Sequence, residues 1–203
     1  MASRVRKRLN AAERREKILA AAIKALARQG YDNTSMDRIA AGAKITKPVL
    51  YDHFSSKQAL FLAVLQSIRD SLIGRAQAIA ETDGGMEEKF RRNIDAFLQF
   101  VEEEPEAARV LLTVPRGDRR AADVSRAVQA GATAGIAPLL AAFMPGSAAW
   151  QLHAATEFLK EGLHALAVWW LDHPDHAREE LVDMVMDIAW TGLRRKNPTG
   201  GRR

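Results

Sequence analysis

The sequence predicts an all-α protein of about nine helices. Apolar residues recur at three- and four-residue intervals nearly everywhere along the 203-residue chain, the period of one helix face. Alternation with a period of two, the mark of a half-buried strand, is nearly absent. Proline, glycine and Asp-rich breaks cut the chain into helix-length pieces.

Taken in order, Leu19, Ile23 and Leu26 fall at i, i+4 and i+7, predicting a helix over about 11–29 with Gly30 as its stop. Thr34 or Ser35 can cap the next helix. Met36, Ile39, Ala40 and Ala43 give that helix its buried face, and Ile45, Val49 and Leu50 do the same for a third. Between them Gly42, Ala43 and Lys44 leave room only for a sharp corner. Two short helices with such a corner have the layout of a helix-turn-helix, whose second helix lies in the DNA major groove; plain helical bundles use the layout too.

A longer helix starts near Ser56, carries Leu60, Phe61, Val64, Leu65, Ile68 and Leu72 inward, and ends near Thr82 before Asp83-Gly84-Gly85. Met86 to Glu104 follows, with Phe90, Ile94, Phe97, Leu98 and Val101 inward. Pro105 opens a short helix to about Val114, and Pro115-Arg116-Gly117-Asp118 reads as a turn. The stretch 119–144 is helical but contains Gly131, Gly135 and Pro138; an interior proline costs about 3 kcal/mol and kinks or breaks a helix. Ser147 is the expected cap of a long helix to about Asp172. A last helix runs from Asp175 to about Lys196.

Apolar content of 47% and charged content of 27% are ordinary for a globular protein. The absence of cysteine excludes disulfides and thiolate zinc sites, and fits a cytoplasmic location. MASRVRKRLN at the start is basic, but no apolar run follows it, so it is not expected to be a secretory signal. No segment approaches the roughly 20 apolar residues of a membrane span. Charge is divided unevenly. Residues 1–60 hold 13 Lys and Arg against 5 Asp and Glu, a net of +8, while residues 61–203 hold 17 against 20, a net of −3. A phosphate backbone attracts such a basic end. No phosphate-cradling glycine loop, GxSxG elbow or cysteine nucleophile is present, so neither enzymatic activity nor a cofactor is expected.

These residues resemble the DNA-binding domain of the TetR family of transcriptional regulators. REKILAAA at Arg15–Ala22, QGYDNTSMDRIAAGA at Gln29–Ala43 and VLYDHFSSKQAL at Val49–Leu60 carry the resemblance. It covers roughly the first third of the chain; the rest is similar only in layout. The family usually has glycine where Lys44 stands, so this lysine must take a positive φ or a different turn. Pro48 also stands where glycine is frequent, and proline is tolerated in a first helical turn.

The resemblance implies a DNA-binding domain over 1–55, with a basic arm over 1–10 that includes Arg4, Arg6, Lys7 and Arg8. A helical ligand-binding and dimerisation domain then fills 56–203. Thr46, Lys47, Pro48 and Val49 open the recognition helix and are expected at base edges. There Lys47 can donate to guanine and Val49 can pack on a thymine methyl. The resemblance further implies that Tyr51 and Lys57 hold phosphates, with Thr34, Ser35 and His53 as helpers; Lys44 completes the candidate set.

Dimerisation places two such helices on related half-sites. The helix ending near Asp172 is apolar on more than one side and needs cover on more than one side. Phe158, Leu163 and Leu166 on it, with Leu181, Val185 and Ile188 on the last helix, are the candidate interface. Phe97, Phe100, Leu111, Phe143, Trp150 and Trp170 are candidate walls of a ligand cavity. His153, Glu157, Glu161 and His164 follow one another along one side of the long helix. Without an HExxH spacing they do not read as a metal site; His153 and Glu157 are candidate ligand contacts, with interface or solvent positions as the alternative. The expected partners are double-stranded operator DNA, a second copy and a small, mostly apolar effector. The expected function is a ligand-responsive, homodimeric repressor. An activator of the same architecture, or a helical interaction protein without sequence-specific DNA binding, are the alternatives.

Overall fold

The computed structural model describes residues 10–195, those after Trp190 by backbone alone. The candidate arm residues Arg4, Arg6, Lys7 and Arg8 and the tail from Asn197 lie outside the described residues. Within them are nine α-helices and no strand: α1 (Ala11–Asn33), α2 (Met36–Ala43), α3 (Lys47–His53), α4 (Lys57–Glu81), α5 (Met86–Glu103), α6 (Pro105–Leu112), α7 (Arg119–Ala141), α8 (Ala149–Asp172) and α9 (Arg178–Arg195).

α1 begins with a reciprocal cap. The Asn10 side chain accepts the Glu13 N–H at 2.8 Å, and the Glu13 carboxylate accepts the Asn10 N–H at 2.9 Å. Gly30 takes a positive φ of 73° as a stop would, yet the chain resumes a helical turn to Asn33, correcting the expected end. The kink turns Tyr31 inward, where its ring lies 4.8 Å from that of Phe61. Ser56 caps α4 by accepting the Ala59 N–H at 3.1 Å, as the sequence indicates.

Two other boundaries differ from expectation, whereas α7 is helical as expected and runs through Pro138. Pro138 and Ala134, whose carbonyl it leaves without a helical donor, are both exposed, so the lost helical bond falls on the solvent side of α7. α8 is capped by Ala148 rather than Ser147, because the Gln151 side chain takes the Ala148 N–H at 2.9 Å. α9 starts at Arg178 rather than Asp175, because the Trp170 indole donates to the His176 carbonyl at 2.9 Å and holds the preceding residues in a turn.

One hydrophobic cluster runs from Ile18 of α1 through Leu50, Leu65 and Leu98 to Met186 of α9. Each side chain fully buried in it stabilises the fold by roughly 1.5–3 kcal/mol. α4 ties the two ends together, packing on α1 at its start and along α7 further on. The α4–α7 approach is close because α7 presents glycines. A Cβ at Gly131 would sit 2.9 Å from the Arg69 guanidinium, and one at Gly135 2.9 Å from Ile73 Cδ1. These glycines, which the sequence left as weak points in a helix, are therefore packing positions.

Candidate nucleic-acid interface and cavity

Ser35 caps α2 by accepting the Arg38 N–H at 3.3 Å. α2 ends on Lys44, which adopts φ 57° and ψ 42°. The Ile45 N–H reaches back to the Ala40 carbonyl at 3.0 Å, and the Lys44 N–H to Ala41 at 3.1 Å. That pair of bonds is the Schellman ending that glycine normally serves. Lys44 thus resolves the sequence alternative in favour of the strained turn. Thr46 then starts α3 without a side-chain cap, and Pro48 sits in the first turn, where its missing N–H has no intrahelical partner to lose.

α3 buries only Leu50. Thr46, Lys47 and Pro48 are exposed, Val49 is half-buried, and Tyr51 is 43% exposed. These side chains form a ridge on the outward side of α3. Lys47 does not stand free on it. Its Nζ lies 2.9 Å and 3.1 Å from the two carboxylate oxygens of Asp37 on α2. This hydrogen bond, aided by the carboxylate charge, raises the lysine pKa.

The remaining candidates sit apart from the ridge. Thr34 is buried, and its hydroxyl is engaged by the carbonyls of Gly30 at 2.7 Å and Ala25 at 3.2 Å. Ser35 is the exposed hydroxyl at this edge. His53 is half-buried at the end of α3, beside Phe54. Lys57 is half-buried, with its Nζ 4.2 Å over the Tyr31 ring and 3.4 Å from the Asp32 carbonyl.

Lys57 belongs to a strut that joins the end of α1 to the turn between α6 and α7. The Asp32 carboxylate accepts the Gly117 N–H at 3.0 Å, and a Cβ at Gly117 would lie 2.8 Å from the Asp32 carboxyl carbon. The Tyr31 hydroxyl donates to Asp118, whose carboxylate also accepts the Arg120 and Ala121 N–H groups that open α7. Burial, then the Asp118 and Asp32 charges, push the Tyr31 phenol up to about 12. Sequence reasoning missed Asp32, Asp37, Gly117 and Asp118. Only the glycine and aspartate of a turn pointed to the last two.

A cavity of about 620 Å³ lies among α4, α5, α6, α7, α8 and α9. Leu72, Ile94, Val128, Ile136, Leu159 and Val185 are typical of its wall. Polar groups in the wall include Arg69, Gln129, Thr156, Lys160 and His164. Lys160 is 7% exposed, and its charge is met by Glu157 and Glu161, each at 3.2 Å, and by the Gln129 carbonyl at 3.4 Å. The Thr133 hydroxyl donates to Glu157 and, as the largest influence, lowers its pKa. Burial pushes the His164 imidazole down to about 4, against the pull of Glu161, so the ring is neutral at pH 7 and lies 5.7 Å from Phe97. Among the described residues no cluster of three His, Cys, Asp or Glu could hold a metal ion, and no helix is long and apolar enough to cross a membrane.

Of the candidate wall residues, Phe97, Leu111 and Phe143 line this cavity. Phe100 and Trp170 are buried elsewhere in the core, Glu157 stands behind Lys160, and His153 and Trp150 are exposed. Of the candidate interface residues, Leu181 is buried in the core. Leu163, Leu166 and Val185 line the cavity, and Phe158 and Ile188 both line it and face outward.

Residues 18–64 match the family model described as bacterial regulatory proteins, tetR family. The chain is 38% identical over 104 residues to the HTH-type transcriptional activator FasR of Mycolicibacterium smegmatis, covering 51% of this chain and 48% of that protein. It is 31% identical over 100 residues to the HTH-type transcriptional repressor NicS of Pseudomonas putida, covering 49% and 47%. The chain thus spans about half the length of the curated relatives it matches. The crystal structure of a TetR-like transcriptional regulator from Rhodococcus sp. RHA1 superposes with a TM-score of 0.73 at 29% identity, covering 92% of this chain and 99% of that one.

Proposed function

Because the chain belongs to the TetR family of bacterial regulatory proteins, we propose that it is a homodimeric, ligand-responsive regulator of transcription. In this reading, residues 1–55 read operator DNA, and residues 56–203 bind the effector and pair the subunits in the cytoplasm. The exposed ridge of α3 behind a well-formed corner carries the proposal, together with the net +8 of the first 60 residues. Lys44, Thr46, Lys47, Pro48, Val49 and Tyr51 meet the DNA, with Ser35, His53 and Lys57 at the backbone; Thr34 serves by holding the α1–α2 junction. Lys47 exchanges its Asp37 partner for a guanine edge or a phosphate.

The effector is a small, mostly apolar molecule held in the cavity. It acts by binding the DNA-competent and DNA-incompetent geometries with different affinity. The strut from Asp32 to Gly117 gives it a route, because α6 and α7, which the strut's turn connects, both line the cavity. Repression is the mode proposed. An activator of the same architecture is the second reading, since the matched relatives include proteins named for each.

Selection from a pool of random duplexes tests the proposal. It should enrich an inverted repeat whose half-sites are spaced by about one helical turn, 10–10.5 base pairs, or a multiple. Enrichment of no sequence, with equal binding to all duplexes, would contradict it.

A further inference from the structure

The turn between α6 and α7 carries three arginines that the fold does not use. Arg116, Arg119 and Arg120 are all exposed, and among the described residues none of them meets a carboxylate. The other seven arginines between residues 61 and 190, Arg69 through Arg178, each lie 3.6 Å or less from one. The acids at the turn are engaged otherwise. Asp118 accepts from Tyr31 and from the Arg120 and Ala121 N–H groups. Asp32 accepts the Gly117 N–H, and Asp123 pairs with Arg126. Arg119 and Arg120 also occupy the first turn of α7, which holds no acidic residue. A helix start repels cations, so these two oppose local stability rather than serve it.

The turn is fixed against the amino-terminal end. The strut holds Gly117 to Asp32 at 3.0 Å, and Asp32 stands just before Thr34 and Ser35, the cap of α2. The Lys57 Nζ lies 3.4 Å from the Asp32 carbonyl. The Ala121 N–H chiefly lowers the Asp118 pKa and the Lys57 charge adds to it, which sets that ammonium close to the turn. Consecutive Cα atoms are about 3.8 Å apart, so all three arginines start within about 12 Å of Gly117. We propose that this turn is a second DNA contact: Arg116, Arg119 and Arg120 grip phosphates of the duplex beside the one that Lys57 takes. The proposal rests on the regulator reading above and deepens it, carrying the DNA footprint onto the domain that holds the effector. Each strand of a duplex presents a phosphate about every 3.4 Å of its axis, so neighbours of the Lys57 phosphate are in reach. Guanidinium groups pair with phosphate oxygens bidentately, and such contacts act on every sequence alike. The turn joins α6 to α7, and both line the cavity. An effector that shifts either helix therefore alters these phosphate contacts without passing through α3.

Three variants test the contact by anisotropy titration against salt, on the selected duplex and on one of random sequence. Arg116→Gln/Arg119→Gln/Arg120→Gln removes the charge. Arg→Lys at the same three positions keeps it. Lys89→Gln/Arg91→Gln/Arg92→Gln removes as much charge near the start of α5. One length of α4, about 37 Å at 1.5 Å per residue, separates that start from Lys57, more than two Debye lengths at about 50 mM salt. The glutamine variant of the turn is expected to keep the wild-type circular dichroism and to bind both duplexes at least about tenfold more weakly at low salt. Its salt slope should shrink by about 2–3, roughly 0.9 for each phosphate lost, with the ratio between the two duplexes unchanged. The lysine variant should keep most of the slope, and the α5 variant should match the wild type. Ethylation interference should reveal phosphates whose modification weakens the wild type and leaves the glutamine variant indifferent. An unchanged slope, a loss matched by the lysine or the α5 variant, or a loss confined to the selected duplex would each overturn the contact. An enriched sequence bound alike by wild type and glutamine variant removes the turn and keeps the regulator. A slope that shrinks on random duplexes while selection enriches nothing keeps the turn and removes the sequence-reading regulator.

Discussion

Lys47 is engaged before DNA arrives. Its ammonium is held by Asp37, a residue with no place on the outward ridge and a like charge to the phosphates. Asp37→Asn should therefore strengthen DNA binding, by roughly three- to tenfold at low salt, in an anisotropy titration; weaker binding would make Asp37 a contact in its own right. Lys44 separates stability from function. Its φ of 57° suits glycine, so Lys44→Gly should raise the unfolding free energy by about 0.5–1 kcal/mol. The same change should lower DNA affinity and reduce the salt slope by about 0.9 if the ammonium meets one phosphate. The sequence left this lysine open between a positive φ and a different turn, because a non-glycine residue at such a corner permits either. The Asp37 pairing was not legible, because ten residues of spacing say nothing about which faces of two helices meet.

At the scale of elements, the strut between α1 and the α6–α7 turn is a single unit of a few polar contacts. Asp32→Ala should cost about 1 kcal/mol in denaturant unfolding. Gly117→Ala should cost a similar amount by displacing the same carboxylate, and the double variant should lose little more than either alone. Additive losses would show that the two residues act separately. A second element-scale consequence concerns pH. His164 titrates at about 4 in the fold, below its usual 6.5. Above pH 6.5 neither state is protonated there. As pH falls from 6.5 toward 4, the unfolded chain takes up a proton that the fold refuses, and stability is lost, by about 2–3 kcal/mol at pH 4.5. The comparison of wild type with His164→Phe isolates this loss from the carboxylates, and identical pH profiles would refute it. Helix number and most inner faces followed from periodicity. The joints did not: the side chains of Gln151 and Trp170 decide where α8 and α9 begin, and neither capping bond leaves a pattern in the sequence.

For the whole molecule, the division of charge, the corner and the apolar surplus of α8 were all legible, because each is a local or compositional property. Which side of α8 is covered was not legible. Periodicity sets Phe158 on a different side of α8 from Leu163 and Leu166, but only the packing of α7 and α5 leaves Phe158 largely exposed at the cavity's edge while Leu163 and Leu166 turn into it. In the proposed regulator the basic amino-terminal end seats α3 against base pairs. Titration of the selected duplex and of a scrambled duplex at 50 and 200 mM salt probes this seating. The selected duplex should bind at least a hundredfold more tightly than the scrambled one, and both affinities should fall steeply with salt, as phosphate contacts require. Indifference to both sequence and salt would contradict it.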